Sequence, residues 1–158
     1  MLELIVGKRP EKFEETLKLI ATRLSNKQYA IRGTSSLTLQ NIDMNVDDID
    51  IIGDSKTALE CNNIFKEFLV KPVAYSESNQ FKSYFGQFRI NEILVEVYGD
   101  WQIKNAKGAW GQIYNANNSQ IVLLPLGVNA TKIETELSMF SDMGRWSALQ
   151  KIKKQMEY

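Results

Sequence analysis

Two carboxylates two positions apart, Asp48 and Asp50 in "NVDDIDII", stand beside isoleucines that belong inside a protein. On a strand, alternate side chains share a face, so Asp48 and Asp50 project together while Ile49 and Ile51 point the other way into a core. Like charges this close repel, and one would take up a proton unless a cation lay between them. A hard divalent cation with oxygen ligands answers that need, and Mg²⁺ commonly uses one or two carboxylates together with substrate phosphates. Upstream, Gly33 begins "GTSSLTLQ" at an expected strand-to-helix junction, where glycine allows a sharp turn and close approach of a ligand. Thr34, Ser35 and Ser36 follow, in the place where amides and hydroxyls can face an anion. The stretch is a phosphate cradle in chemistry but carries neither the Gly-Lys-Ser/Thr of a P-loop nor the glycines of a dinucleotide fingerprint. Downstream, Glu96 lies between Val95 and Val97 in "ILVEVYGD". With the valines buried it faces the other side, and it joins Asp48 and Asp50 if the two strands are neighbours.

The elements that must position these groups alternate. "RPEKFEETLKLIATRLSNK" reads as a helix opened by Pro10, with Phe13, Leu17, Ile20 and Leu24 on one apolar face. "YAIR" (29–32) is a short strand, "GTSSLTLQN" a turn running into a short helix, and "DDIDIIGD" a strand. "SKTALECNNIFKEFL" is a second long helix with Ser55 as N-cap and Leu59, Ile64, Phe65 and Phe68 inward. From Pro72 the period changes to two: "PVAYS", "FKSYFGQFRI" and "ILVEVYGD" are strands, the last two joined as a hairpin at Asn91-Glu92. "WQIKNAKGAWGQIYNANNS" reads as a long loop with a short strand at 110–114, and "QIVLLPL" as a buried strand. Helical spacing returns from Thr131 and breaks near Met143-Gly144. The expected fold is α+β, a mixed sheet layered with helices. It forms one domain over 1–158, with a core at about 28–125 and C-terminal helices at about 130–157.

Bulk composition narrows the chemistry. The chain has 158 residues, 44% apolar and 24% charged, with zero formal net charge, so no global field draws nucleic acid or membrane. It has no histidine and one cysteine, Cys61. Cys/His zinc sites and Ser-His-Asp or Cys-His catalysis are thereby excluded, and a lone cysteine suits a reducing cytoplasm. "MLELIVGKRP" does not read as a signal peptide, and no apolar run approaches the roughly 20 residues that span a bilayer.

Taken together, Gly33-Thr34, Asp48-Ile49-Asp50 and Glu96 resemble the nucleotidyltransferase superfamily of DNA polymerase β. The string "GTSSLTLQ…DDIDII…IFKEF…ILVEVYGD" is similar to small stand-alone nucleotidyltransferase-like proteins, including the minimal nucleotidyltransferases of toxin–antitoxin and abortive-infection pairs. The resemblance covers roughly 28–100. It implies a mixed sheet flanked by helices and transfer of a nucleoside monophosphate from an NTP, ATP foremost, to an acceptor the sequence does not name. It also implies that Asp48, Asp50 and Glu96 are catalytic and hold Mg²⁺ (Mn²⁺ as the alternative), with Glu96 a candidate base, and that Gly33, Thr34 and Ser35 bind the nucleotide. Thr34 and Glu96 replace the commoner Ser or Gly and Asp. Where many relatives carry a C-terminal lysine, this chain has Asp142 with Arg145 nearby.

The rival reading is a non-catalytic NTP-binding module or an antitoxin-like partner of a small helical protein. A polymerase or tRNA-modifying enzyme has less support, since "KIKK" is the one strong basic run. Simpler readings attach to the remaining residues. Asp47 is surface or stands behind the acids, and Asp54 and Asp100 are turn residues. Arg32 is exposed, with approach to a phosphate from the strand end as the alternative, and Lys82, Ser83 and Tyr84 form a plain sheet face, with lining of the cleft as the alternative. Trp101, Trp110 and Trp146 are packing groups, and Cys61 is a small core residue.

Overall fold

The computed structural model describes residues 7–157. The segment read above for a signal peptide therefore lies largely outside the described residues. The elements are α1 (Phe13–Arg23), β1 (Tyr29–Arg32), α2 (Gly33–Leu39), β2 (Ile49–Gly53), α3 (Ser55–Ile64), β3 (Leu69–Glu77), β4 (Phe81–Ile90), β5 (Ile93–Ile103), β6 (Ile121–Leu124), β7 (Val128–Thr131), α4 (Ile133–Asp142) and α5 (Trp146–Met156). The strands make one seven-stranded sheet in the order β3-β4-β5-β2-β1-β7-β6. Strand β2 runs antiparallel to β1 and parallel to β5, and β1 is parallel to β7. This is the expected mixed sheet with helices, an α+β fold. No helix among the described residues is long and apolar enough to cross a membrane.

Strand alternation divides the sheet into two unlike faces. Ile31, Ile49, Ile51, Val95 and Val97 pack against Phe13, Leu17 and Ile20 of α1 and Ala58, Cys61 and Phe65 beside α3. On the other face, Ala30, Ile52, Trp101 and Ile103 meet Tyr114 and Met139. Leu37 of α2, Phe140 of α4 and Leu149 and Ile152 of α5 form a third, smaller cluster beside them.

One irregularity in β5 matters for the site. Residues 93, 95 and 97 face the α1/α3 layer, yet Trp101 and Ile103 face the opposite side. The ladder to β4 slips between Lys82↔Gln102 and Tyr84↔Gly99. Asp100 takes up the extra residue with a left-handed φ of 48°. The bulge reverses the parity of the strand, so Tyr98 and Trp101 share a face with ring centroids 5.5 Å apart.

Several boundaries differ from the sequence expectation, each for a local reason. Helix α1 starts at Phe13, because Lys12 turns the chain in the left-handed region and leaves Pro10 outside. The N-cap of α3 is Asp54, not Ser55: its Oδ1 accepts from the Thr57 amide at 2.8 Å. Leu59 is 44% exposed, and Ala58 and Cys61 take the inward positions. Asp48 sits just before β2, which begins at Ile49. Strand β5 continues to Ile103, with bridges at Trp101–Tyr114 and Lys104–Trp110 in the segment expected to be loop. Strand β6 is an edge, where Leu123 is 70% exposed, not a buried strand. The sheet also extends past residue 125 through β7, a strand the sequence did not announce.

Candidate active site

Two neighbouring strands, β2 and β5, set the acids on one face. That they are neighbours is the condition on which the expectation depended, and in their ladder Asp50 lies directly across from Glu96. Glu96 accepts from Gln87 Nε2 at 2.9 Å and from the Tyr98 hydroxyl at 3.3 Å, so a neighbouring strand and its own strand both aim it. Asp48 lies exposed at the entrance to β2. Burial raises its pKa above the ordinary aspartate range, and the charges of Glu96 and Asp47 add to that. Among the described residues the three acids are not drawn into one closed ligand set.

Asp50 is shifted further than Asp48. Burial pushes its pKa up to about 6 against the pull of Arg32, with Glu96, Glu136 and Asp48 pushing the same way as burial. Its Oδ1 is buried with no hydrogen-bond partner. An acceptor-only group left bare in this way lacks a donor or a cation. Carboxylate oxygens on Asp48, Asp50 and Glu96 are the donor set a hard divalent ion prefers, and the bare Oδ1 is where such an ion fits.

Arg32, expected on the surface, is 7% exposed. Its guanidinium lies 3.6 Å from Asp50 and 3.3 Å from the fully buried Glu136, with the Trp101 ring centroid 4.8 Å away. Glu136 comes from α4 and has more partners still: its Oε2 accepts from the Gly33 amide at 3.0 Å and from the Thr131 hydroxyl. Sequence reasoning missed Glu136. The available signal was an acid on the apolar stripe of a helix, in step with Met139 and Phe140.

The phosphate-cradle residues divide. Gly33 does sit at the strand-to-helix junction, with φ +71°, and a Cβ there would lie 3.2 Å from Asp50 Oδ2. Only glycine joins that backbone to that closeness. Its amide, however, already serves Glu136. Ser35 is buried and donates to the Asp48 carbonyl at 3.2 Å, tying α2 to the acid loop. Thr34 is the partly exposed residue of the three.

Beside Asp50 opens a cavity of about 420 Å³ walled by Phe81, Phe85, Tyr98 and Trp101, with Arg145 at its mouth. Of the β4 residues for which cleft lining was the alternative to a plain sheet face, Ser83 lines the cavity, whereas Lys82 lies over Trp110. Trp101 both packs and forms a wall. Asp142 accepts from the Tyr114 hydroxyl at 2.6 Å. Asp54 and Asp100 act as more than turn residues, since both accept from amides of the first turn of α3.

The crystal structure of a candidate nucleotidyltransferase from Thermotoga maritima superposes on this one with a TM-score of 0.79 over 96% of each chain, at 28% sequence identity. The chain has a nucleotidyltransferase-like fold. No protein-family profile matches it, and neither does any curated protein. Within the nucleotidyltransferase-like fold, then, the acids, the turn glycine and the aromatic cavity meet on one face of the sheet. The buried Arg32–Glu136 pair stands behind them.

Proposed function

We propose that the protein is a metal-dependent nucleotidyltransferase that moves a nucleoside monophosphate from an NTP, ATP foremost, to an acceptor hydroxyl. The observation that carries the reading is the bare, buried Oδ1 of Asp50 across the ladder from Glu96. The fold and its likeness to the Thermotoga candidate nucleotidyltransferase support the same class. Asp48, Asp50 and Glu96 would hold Mg²⁺ or Mn²⁺. When bound, such an ion neutralises phosphate charge and lowers the pKa of an attacking hydroxyl, so a site without histidine can work.

The chain's own groups do the rest. Arg32, anchored by Glu136, keeps Asp50 in place. Thr34 faces the phosphates, and Gly33 lets the chain pass close to Asp50. In the transfer, the acceptor oxygen bonds to the α-phosphorus and the α–β bridging bond breaks. Pyrophosphate leaves, and the hydroxyl proton passes to Glu96, which Gln87 and Tyr98 orient.

One observation favours the rival, a nucleotide-binding module without turnover: Glu136 already occupies the Gly33 amide and Arg32, which would otherwise serve a phosphate. Calorimetry with ATP, with and without Mg²⁺, tests the first reading. The wild type is expected to bind ATP only with metal, and Asp48→Asn with Asp50→Asn to weaken that binding at least about tenfold, since the metal loses two of its charged ligands. A wild type with no metal-dependent NTP binding defeats the enzymatic reading, and binding that ignores both metal and acids favours the rival.

A further inference from the structure

We propose that the aromatic cavity beside Asp50 is the acceptor subsite and that its acceptor is a nucleotide. The base lies against the ring wall and the phosphate at the cationic mouth. This rests on the nucleotidyl-transfer reading and adds the substrate class.

Strand order places Asp50 on β2 between the turn at Gly33, on the β1 side, and the cavity, which runs outward over β5, β4 and β3. Gly33 and Thr34 do not line it. A donor triphosphate on the Thr34 side and an acceptor in the cavity would thus approach Asp50 from opposite directions, as in-line displacement requires.

A cavity of about 420 Å³ lies within the usual range for small-molecule sites. Its wall is a run of rings: Phe85 to Tyr98 at 5.2 Å, Tyr98 to Trp101 at 5.5 Å and Phe81 to Trp101 at 5.9 Å. Such a surface takes a planar base by stacking, with little sequence preference. Arg145 at the mouth is exposed, and its fork of donors suits a phosphate. Met143 also lines a second hollow of about 670 Å³ that carries Lys104 and Lys107. Lys82 and Lys104 both lie over Trp110, at 4.5 and 5.0 Å. None of these four cations is in an ion pair among the described residues. The acid in this hollow, Asp142, is engaged by Tyr114. An excess of unpaired positive charge next to a ring-lined slot matches a base that carries phosphate.

A free mononucleotide and the terminal nucleotide of a strand share this chemistry, and the experiment separates them. The intact protein is first saturated with Mg²⁺ and a non-hydrolysable ATP analogue, then titrated with AMP or with tetra-adenylate. AMP is expected to bind beside the analogue. Arg145→Ala and Phe85→Ala are expected to weaken AMP at least tenfold while changing the analogue less than twofold. Arg145 is exposed, so that variant stays informative if Phe85→Ala folds poorly. If Lys104→Ala with Lys107→Ala weakens tetra-adenylate and spares AMP, the acceptor is a strand end; if tetra-adenylate binds no better than AMP, it is a free nucleotide. AMP excluded by the analogue, or the analogue weakened in step with AMP, means the cavity holds the NTP's own base and overturns the assignment. AMP unaffected by both variants overturns it as well. A wild type that fails to bind the analogue defeats the transfer reading, whereas analogue binding without AMP or tetra-adenylate binding defeats this inference alone.

Discussion

Strands β1, β2 and β5 build two faces from alternating residues, and the faces do opposite work. Toward α1 and α3, Ile31, Ile49, Ile51, Val95 and Val97 are all 1% exposed or less, with no charged group among them. One residue out of step, Arg32, Asp50 and Glu96 put an arginine and two acids on the other face. Two atoms there, Arg32 Nε and Asp50 Oδ1, are buried without a hydrogen-bond partner. Bare buried polar atoms cost stability, and a close-packed apolar layer supplies it. The difference teaches that this fold tolerates a charged cleft because the reverse side of the same strands holds it together.

The sharpest way to break the comparison is to damage the apolar side. Phe65 is fully buried and packs on Phe88 at 5.7 Å. Phe65→Ala is expected to cost about 3–5 kcal/mol in urea unfolding, while the variant that remains folded keeps metal-dependent ATP binding within about twofold. A loss below about 1 kcal/mol would mean that the α1/α3 layer is not the stabilising one.

The charged side should respond with the opposite sign. Asp50 has a folded-state pKa of about 6, above its ordinary value of 3.8. The folded protein therefore holds its proton more tightly, and stability falls as pH rises from about 4 to about 6 and stays lowered above that. In metal-free protein at pH 7, Asp50→Asn is expected to stabilise by the order of 1–3 kcal/mol. Arg32 keeps Glu136 as its partner, 3.3 Å away. The gain should shrink toward zero near pH 4. Thermal unfolding in EDTA across that range checks it, and a destabilised variant at pH 7 would show that Asp50 is instead a net support of the fold.

How far the sequence carried follows from the same alternation. Period two put Ile49 and Ile51 opposite Asp50, and Val95 and Val97 opposite Glu96; that the two strands are neighbours, with Asp50 across from Glu96, the pattern left open and the ladder supplies. Local chemistry also sufficed for the Asn91-Glu92 hairpin, whose two residues take φ of 52° and 66°. What escaped was non-local. Glu136 meets the Gly33 amide across a separation of 103 residues, and nothing near either residue announces the partner. Arg32 read as exposed because the acids that bury it come from β2 and α4. Edge position misled for β6, whose apolar run suggested burial while Leu123 faces outward. Trp101 read as the start of a loop, whereas β5 runs on through it to Ile103, because a bulge leaves no clear mark when the extra residue is an aspartate rather than a glycine.

That bulge allows the finest test of how the two faces are divided. Asp100 holds a left-handed φ of 48° and its Oδ2 accepts from the Ser55 amide at 3.2 Å, at the start of α3. It thus ties the residue at the parity change to the helix packed on the other side of the sheet. Asp100→Ala removes that acceptor and also puts a residue with no local side-chain hydrogen bond in the left-handed region, and should cost about 1 kcal/mol. Asp100→Gly loses the bond but suits the conformation, so it should cost less. If the bond to α3 alone sets the parity, both variants should alter the near-ultraviolet signal of the Tyr98–Trp101 ring pair. If the left-handed backbone sets it, glycine should preserve that signal and alanine weaken it. We expect the second pattern, because the ladder to β4 pins residues on both sides of the slip, Lys82↔Gln102 and Tyr84↔Gly99, and the extra residue between them must then take the left-handed turn that glycine adopts readily and alanine does not.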